Sequence, residues 1–341
     1  MTESTQIIAA FESRAKRREE RRDFFKNALS AMAIGAAGAT VMSWTTAAEA
    51  QTLTDADILN FALNLEYLEA QFYSYAAYGT PLAASVTGGG AVAPTATGAR
   101  RVDGLDADPV VRDYAREIAA DEIAHVTFLR NAIAGAGATP VAQPQIDIGI
   151  SPTGAFSSAA RAAGLIGPTT AAAPTFFDPY SSPNNFLLGA FIFEDVGVTA
   201  YKGAAPLITN KTFLEASAGI LAVEAYHASI IRTVLYARGM ATPSLRSGAD
   251  AISNARDSLD GATDIDQGIS PVTQTATTSA GANQSVTTSN IVPLDANGIA
   301  YDRTPGQVLN IVYLTKTAAS AGGFFPAGTN GTIKMSTAQP A

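Results

Sequence analysis

The sequence predicts an all-α fold: a four-helix bundle with a long crossover between its second and third helices and an irregular C-terminal extension. Three observations carry that prediction. Four segments show apolar residues at three- and four-residue steps, each opened by a capping residue and closed at glycine or proline. Each has a glutamate near its middle: Glu66, Glu122, Glu194 and Glu224. The chain also repeats itself. Glu66-x6-Tyr73 matches Glu194-x6-Tyr201, and Glu122-x-x-His125 matches Glu224-x-x-His227, each histidine being followed five residues on by an arginine, Arg130 or Arg232.

The chain starts with an address. Residues 1–26 carry Arg14, Lys16, Arg17, Arg18, Arg21, Arg22 and Lys26 among five acids. An Ala- and Gly-rich run follows to Trp44, and Ala48-Glu49-Ala50 offers small residues in a cleavage pattern. That order is the one of a secretory signal. Arg21-Arg22-Asp23-Phe24-Phe25-Lys26 departs from the twin-arginine export motif only at Phe25. Residues 1–50 are therefore read as an export signal, and the remainder as a periplasmic, extracellular or cell-surface protein. The apolar run falls short of the roughly 20 strongly apolar residues of a membrane span, so no stable span is expected after processing.

The first helix is predicted over residues 54–78. Thr54 caps it, Asp57 completes a capping-box start, and Gly79-Thr80-Pro81 ends it. The second covers 108–134, with Asp108 as cap, Pro109 in the first helical position and Gly135 past the end. The third begins at Ser182-Pro183 and ends near Ala205, before Pro206. The fourth begins at about Asn210 and stops at Arg238-Gly239. Together they define a bundle over 51–240, and the 47-residue link 135–181 is its crossover. Residues 241–341, with Gly/Ser/Thr-rich stretches such as 273–289, are expected to form an irregular arm packed on the bundle.

Composition narrows the chemistry. The 341 residues include no cysteine, which excludes disulfides, zinc–thiolate sites, iron–sulfur clusters and a thiol nucleophile. Two histidines exclude a three-histidine zinc site within one chain. A net charge of −8 argues against nucleic acid as a partner. Charged residues make up 15% of the chain, well below the roughly 25% of an average soluble protein.

Within that sparse chemistry, the placement of the acids is informative. Only seven glutamates follow residue 50: Glu66, Glu69, Glu117, Glu122, Glu194, Glu215 and Glu224. Both histidines lie three residues after one of them, a spacing that puts the pair on one helix face. With helices side by side, the four mid-helix glutamates converge on one level of an apolar interior. Lone buried carboxylates are costly, and several together repel and draw protons unless a cation compensates them. A pair of divalent metals removes the conflict; a polar, metal-free core is the competing reading.

One Glu from each of two helices and Glu-x-x-His from each of the other two resembles the di-iron or di-manganese pattern of ferritin-like bundles. Residues 59–73, Leu-Asn-Phe-Ala-Leu-Asn-Leu-Glu-Tyr-Leu-Glu-Ala-Gln-Phe-Tyr, are similar to the first helix of the exported, desiccation-related ferritin-like proteins. Residues 251–261, 290–293 and 310–313 are similar to that family's C-terminal region. The resemblance implies Glu66 and Glu194 as terminal carboxylates, Glu122 and Glu224 as bridges, and His125 and His227 as one ligand to each metal. Glu69 is the rival of Glu66. Tyr73 and Tyr201 are candidates to support the ligands or simply to pack in the core. Asp121 and Asp195 either orient a ligand histidine or face solvent.

The resemblance implies a protein with two divalent ions, Fe or Mn in preference to copper, with zinc also compatible. The expected partners are metal ions and oxygen or peroxide, in ferroxidase, peroxidase or catalase chemistry serving stress protection. A homo-oligomer is compatible with these features, but a storage cage is not expected, because long loops and the arm would obstruct a compact shell. The alternative is a non-catalytic structural, surface or desiccation-protective protein that uses the bundle as a scaffold.

Overall fold

The structure is a computed structural model and describes residues 53–89, 96–277, 279 and 281–339. The export signal read over residues 1–50 lies outside the described residues. Helix α1 (Asp55–Tyr78) opens on a capping box in which Thr54 and Asp57 each satisfy the other's backbone amide. It closes at Gly79, whose φ of 76° is the left-handed geometry that glycine adopts without penalty. Almost all of α1 is buried. Its apolar residues join the core, where each fully buried Leu or Phe contributes about 1.5–3 kcal/mol.

A polar stripe on α1 is buried as well, and it docks the chain's extended segments. Asn60 donates to Thr139 O at 3.1 Å and accepts from the Val141 amide at 2.8 Å. Asn64 bonds both the carbonyl and the amide of Asn330, at 2.9 and 2.8 Å. The Tyr67 hydroxyl donates to Val141 O, and Gln71 donates to Gln143 Oε1 at 2.7 Å. The four residues step at helical intervals along one face, so the start of the crossover and the C-terminal segment 329–332 lie against α1 without stranded polar groups.

Helix α2 (Pro109–Gly135) packs on α1, capped by Asp108 and buried along Ala115, Ile118, Ala119, Glu122, His125, Val126, Leu129 and Ile133. The crossover carries one short helix, α3 (Ala155–Ala162). The third predicted helix is interrupted. It forms α4 (Pro183–Ala190) and α5 (Glu194–Ala204), separated by turns at 191–193. The cause lies outside the segment. The Arg256 guanidinium donates to the carbonyls of Phe191 and Ile192, which an unbroken helix would pair with amides four residues on. A side chain inserted into the helical ladder is a recognised origin of such a break. Helix α6 (Lys211–Arg238) follows the prediction closely, capped by Asn210. By length and composition it could cross a membrane, with a mean hydropathy of 1.2. It packs instead against α5, with Glu224, His227 and Arg232 buried.

Residues 241–339 hold more regular structure than their composition suggests: α7 (Pro243–Asp260), an antiparallel hairpin of β1 (Val272–Thr277) and β2 (Asn283–Thr288), and α8 (Pro305–Val312). A buried ion network holds this arm. Arg232 and Arg256 both reach Asp195, at 2.7 and 2.8 Å. Arg256 and Arg303 both reach Asp266, and Arg303 also reaches Asp260 at 2.6 Å. Three cations thus meet three anions, and removing any one strands a buried charge at a cost of about 3–5 kcal/mol. Close packing does the rest: a Cβ at Gly203 would press into the Arg303 backbone, 2.8 Å from its carbonyl carbon.

Candidate metal centre

Four helices bring the predicted residues together. Glu66 comes from α1, Glu122 and His125 from α2, Glu194 from the first turn of α5, and Glu224 and His227 from α6. Glu66, Glu122 and Glu224 are 0% exposed, Glu194 1%, His227 2% and His125 8%. The donor atoms of Glu66, Glu122, His125 and Glu224 lie within 4.8 Å of one another, as do those of Glu194, Glu224 and His227. Glu224 belongs to both groups. Glu122 also faces both: one of its oxygens is 3.5 Å from His125 Nδ1 and the other 3.0 Å from His227 Nδ1. The imidazole centroids stand 6.3 Å apart.

Both histidines turn Nδ1 inward. His125 Nδ1 lies 3.1 Å from Glu66 Oε2. His227 presents Nε2 to Asp121 at 3.1 Å, which fixes the ring and leaves Nδ1 facing the carboxylates. Asp121 therefore takes the orienting role. Asp195 does neither of the things expected of it. It is buried, away from both imidazoles, and anchors Arg232 and Arg256.

The tyrosines cross between the two hairpins. Tyr73 on α1 donates to Glu194 Oε1, and Tyr201 on α5 donates to Glu66 Oε1. Each terminal carboxylate has one oxygen tied to a phenol and the other turned toward a histidine. The repeated arginines are also equivalent. Arg130 bonds Tyr67, the neighbour of Glu66, and the Val141 carbonyl. Arg232 bonds Asp195, the neighbour of Glu194, and carbonyls at Gly268, Asn290 and Ile291. Each arginine fastens an outlying segment beside a terminal carboxylate.

The electrostatics follow from burial. Burial and the Glu122 charge raise Glu66 to about 7, and burial raises Glu194 to about 8 despite the nearby His227. Burial pushes Glu69 and Glu224 well above the usual carboxylate range. Glu122 resists burial because His125 and His227 both contact it, and it is held at about 2. The imidazoles respond in kind: burial opposes their charge, but the surrounding carboxylates raise His125 to about 11 and His227 to about 9.

Several donors remain without hydrogen-bond partners. Both oxygens of Glu122 and Glu224, Glu194 Oε2 and His227 Nδ1 are buried and make no well-aligned hydrogen bond, although Glu122 and His227 stand as an ion pair 3.0 Å apart, and they converge on the same small volume. Buried polar atoms are rarely left so. Oxygen-rich donors with two inward imidazole nitrogens are the set that hard or borderline divalent cations take. The residues present therefore fit a two-metal centre.

Two contributors carry no chemical signature in the sequence. Gly197 lies on α5 against Glu224: a Cβ there would collide with its Oε2 and stand 3.0 Å from its Cδ. A glycine inside a helix, one turn past a ligand candidate, is the only trace it leaves. Arg256 fixes the break just before Glu194 from 62 residues away along the chain, and nothing local announces it.

Comparison with known proteins agrees with this geometry. A ferritin-like domain family matches residues 54–237. The chain is 28% identical over 287 residues to the ferritin-like catalase Nec2 of Nesocodon mauritianus, covering 82% of this chain and 84% of that protein. It is also 28% identical over 286 residues to the desiccation-related protein PCC13-62 of Craterostigma plantagineum, covering 82% and 83%.

Proposed function

The chain belongs to the ferritin-like domain family, and on that premise we propose that Glu66, Glu122, His125, Glu194, Glu224 and His227 hold two divalent metal ions, iron or manganese, at which the protein turns over peroxide or oxygen. The observation that carries the reading is the convergence of buried carboxylate and imidazole atoms, several of them without a well-aligned hydrogen bond, in two groups that share Glu224. When bound, the two ions supply paired redox equivalents for reaction with a small oxidant. The chain's own residues do the rest. Glu122 and Glu224, which approach both histidine-bearing groups, would be shared by the two ions, and His125 and His227 would each serve one. Tyr73 and Tyr201 hold one oxygen of each terminal carboxylate, which leaves a single oxygen for binding. Asp121 keeps the His227 ring oriented.

Among the reactions open to such a centre, catalase-type turnover of hydrogen peroxide is favoured, in line with the Nesocodon relative's name as a ferritin-like catalase. The test is oxygen evolution from hydrogen peroxide by the metal-loaded protein, lost in Glu122→Ala and His227→Ala. Wild-type protein that carries metal yet evolves no oxygen would refute the catalase reading. A scaffold role in desiccation is the second reading, supported by the name of the Craterostigma relative and by the heavily cross-linked arm. Protection of dried samples that persists in Glu122→Ala would favour it. Export to the periplasm or cell surface is supported by the Arg21–Lys26 segment, and processing near Ala50 is its test.

A further inference from the structure

Glu69 is left over from the ligand set. It lies one turn beyond Glu66 on α1, is 5% exposed, and stands in neither group of converging donors. Among the described residues no hydrogen bond reaches its carboxyl group; only burial and the charges of Glu122, Glu194 and Glu66 act on it. A carboxyl group on a residue so deeply buried, with no hydrogen-bond partner, is costly in either protonation state, and such groups are kept where something is to be bound.

The repeat shows that Glu69 is an addition. Glu66-x-x-Glu69 on α1 corresponds to Glu194-x-x-Gly197 on α5. One hairpin adds a carboxylate where the other removes the side chain altogether. The two positions meet: a Cβ on Gly197 would lie 3.5 Å from Glu69 Oε1 while colliding with Glu224. Glu69 and Gly197 both line a cavity of about 20 Å³ whose wall also includes Leu68, Phe193, Val196 and Val312. Glu69 supplies the one charged group of that wall. The wall is apolar apart from the Glu69 carboxyl group, and the volume is that of about one water-sized molecule, which Glu69 would have to anchor.

We infer that this chamber seats hydrogen peroxide on its way to the metal centre, held by an O–H donated to the Glu69 carboxyl group. The inference rests on the peroxide reading of the centre and adds to it a place and a size limit. Dioxygen has no hydrogen to donate, and an alkyl hydroperoxide has the donor but not the size. The apolar wall leaves Glu69 as the group that selects and orients the guest.

The experiment uses the full, processed protein and three readouts. A crystal structure of the wild type should show an ordered molecule in the chamber within hydrogen-bond reach of Glu69, lost in Glu69→Leu. Metal content should be the same in wild type, Glu69→Leu and the chamber-filling Leu68→Phe. The KM for hydrogen peroxide should rise about tenfold or more in both variants. A dry chamber, an unchanged KM, or loss of metal in Glu69→Leu would overturn the inference, the last by making Glu69 a ligand. Wild-type protein that binds no metal would instead overturn the reading beneath it, and the crystallographic occupancy distinguishes the two failures.

Discussion

Binding of two metal ions at pH 7 should expel about four protons. The perturbation is the titration of metal-free protein with Mn²⁺. Before it, burial and the neighbouring carboxylates hold Glu224 well above the usual carboxylate range, Glu194 at about 8 is mostly protonated, and Glu66 at about 7 is half so. His125 at about 11 and His227 at about 9 are imidazolium ions, and Glu122 at about 2 is already ionised. Ligation requires every carboxylate ionised and both imidazoles neutral, so these groups together release about four protons. Two divalent ions bring the same number of positive charges, so the net charge of the core stays nearly constant. The assay is isothermal titration calorimetry in buffers of different ionisation enthalpy. The apparent affinity should also rise with pH by about two decades per unit per ion near neutrality. Release of fewer than about one proton for the pair, with full binding, would refute the electrostatic account of the cluster.

Three further outcomes are expected. The metal-free protein should be less stable at pH 8 than at pH 5. Glu66 and Glu194 are raised from 4.5, so the stability they lend is present below that value and lost as pH rises through about 7 and 8. His125 and His227 act in the same direction from 6.5 upward, and a melting temperature lower by roughly 5 °C is the scale to look for. Tyr73→Phe and Tyr201→Phe should each weaken metal affinity about 10- to 100-fold without changing stoichiometry, as competition with a chelator would show. Gly203→Ala should destabilise the fold by about 1–3 kcal/mol in chemical denaturation, because its Cβ meets the Arg303 backbone, which cannot swing away as a side chain can.

Much of the centre was legible in the sequence because its chemistry is local. Glu-x-x-His occupies one turn of helix, and the capping signals at Thr54, Asp108 and Asn210 place each glutamate at mid-helix without knowledge of the fold. What the sequence concealed depends on distant partners. The break before Glu194 is made by Arg256 on α7, so the segment itself reads as an unbroken helix. Asp195 looks like a surface or second-rank ligand residue until Arg232 and Arg256 close on it. The stripe Asn60, Asn64, Tyr67 and Gln71 announces nothing in the sequence, because its meaning depends on the extended segments that cover it. The arm looked irregular because its two helices are short or sparsely apolar and are fixed in place by buried arginines whose partners are distant in sequence.

The central claim, that the buried cluster is a two-metal centre, is tested most directly by elemental analysis of protein purified from its native compartment, since expression elsewhere can load the wrong metal. The account predicts about two iron or manganese ions per chain, falling to about one or fewer in Glu122→Ala. Fewer than about one ion per chain, unchanged by Glu122→Ala, would contradict it.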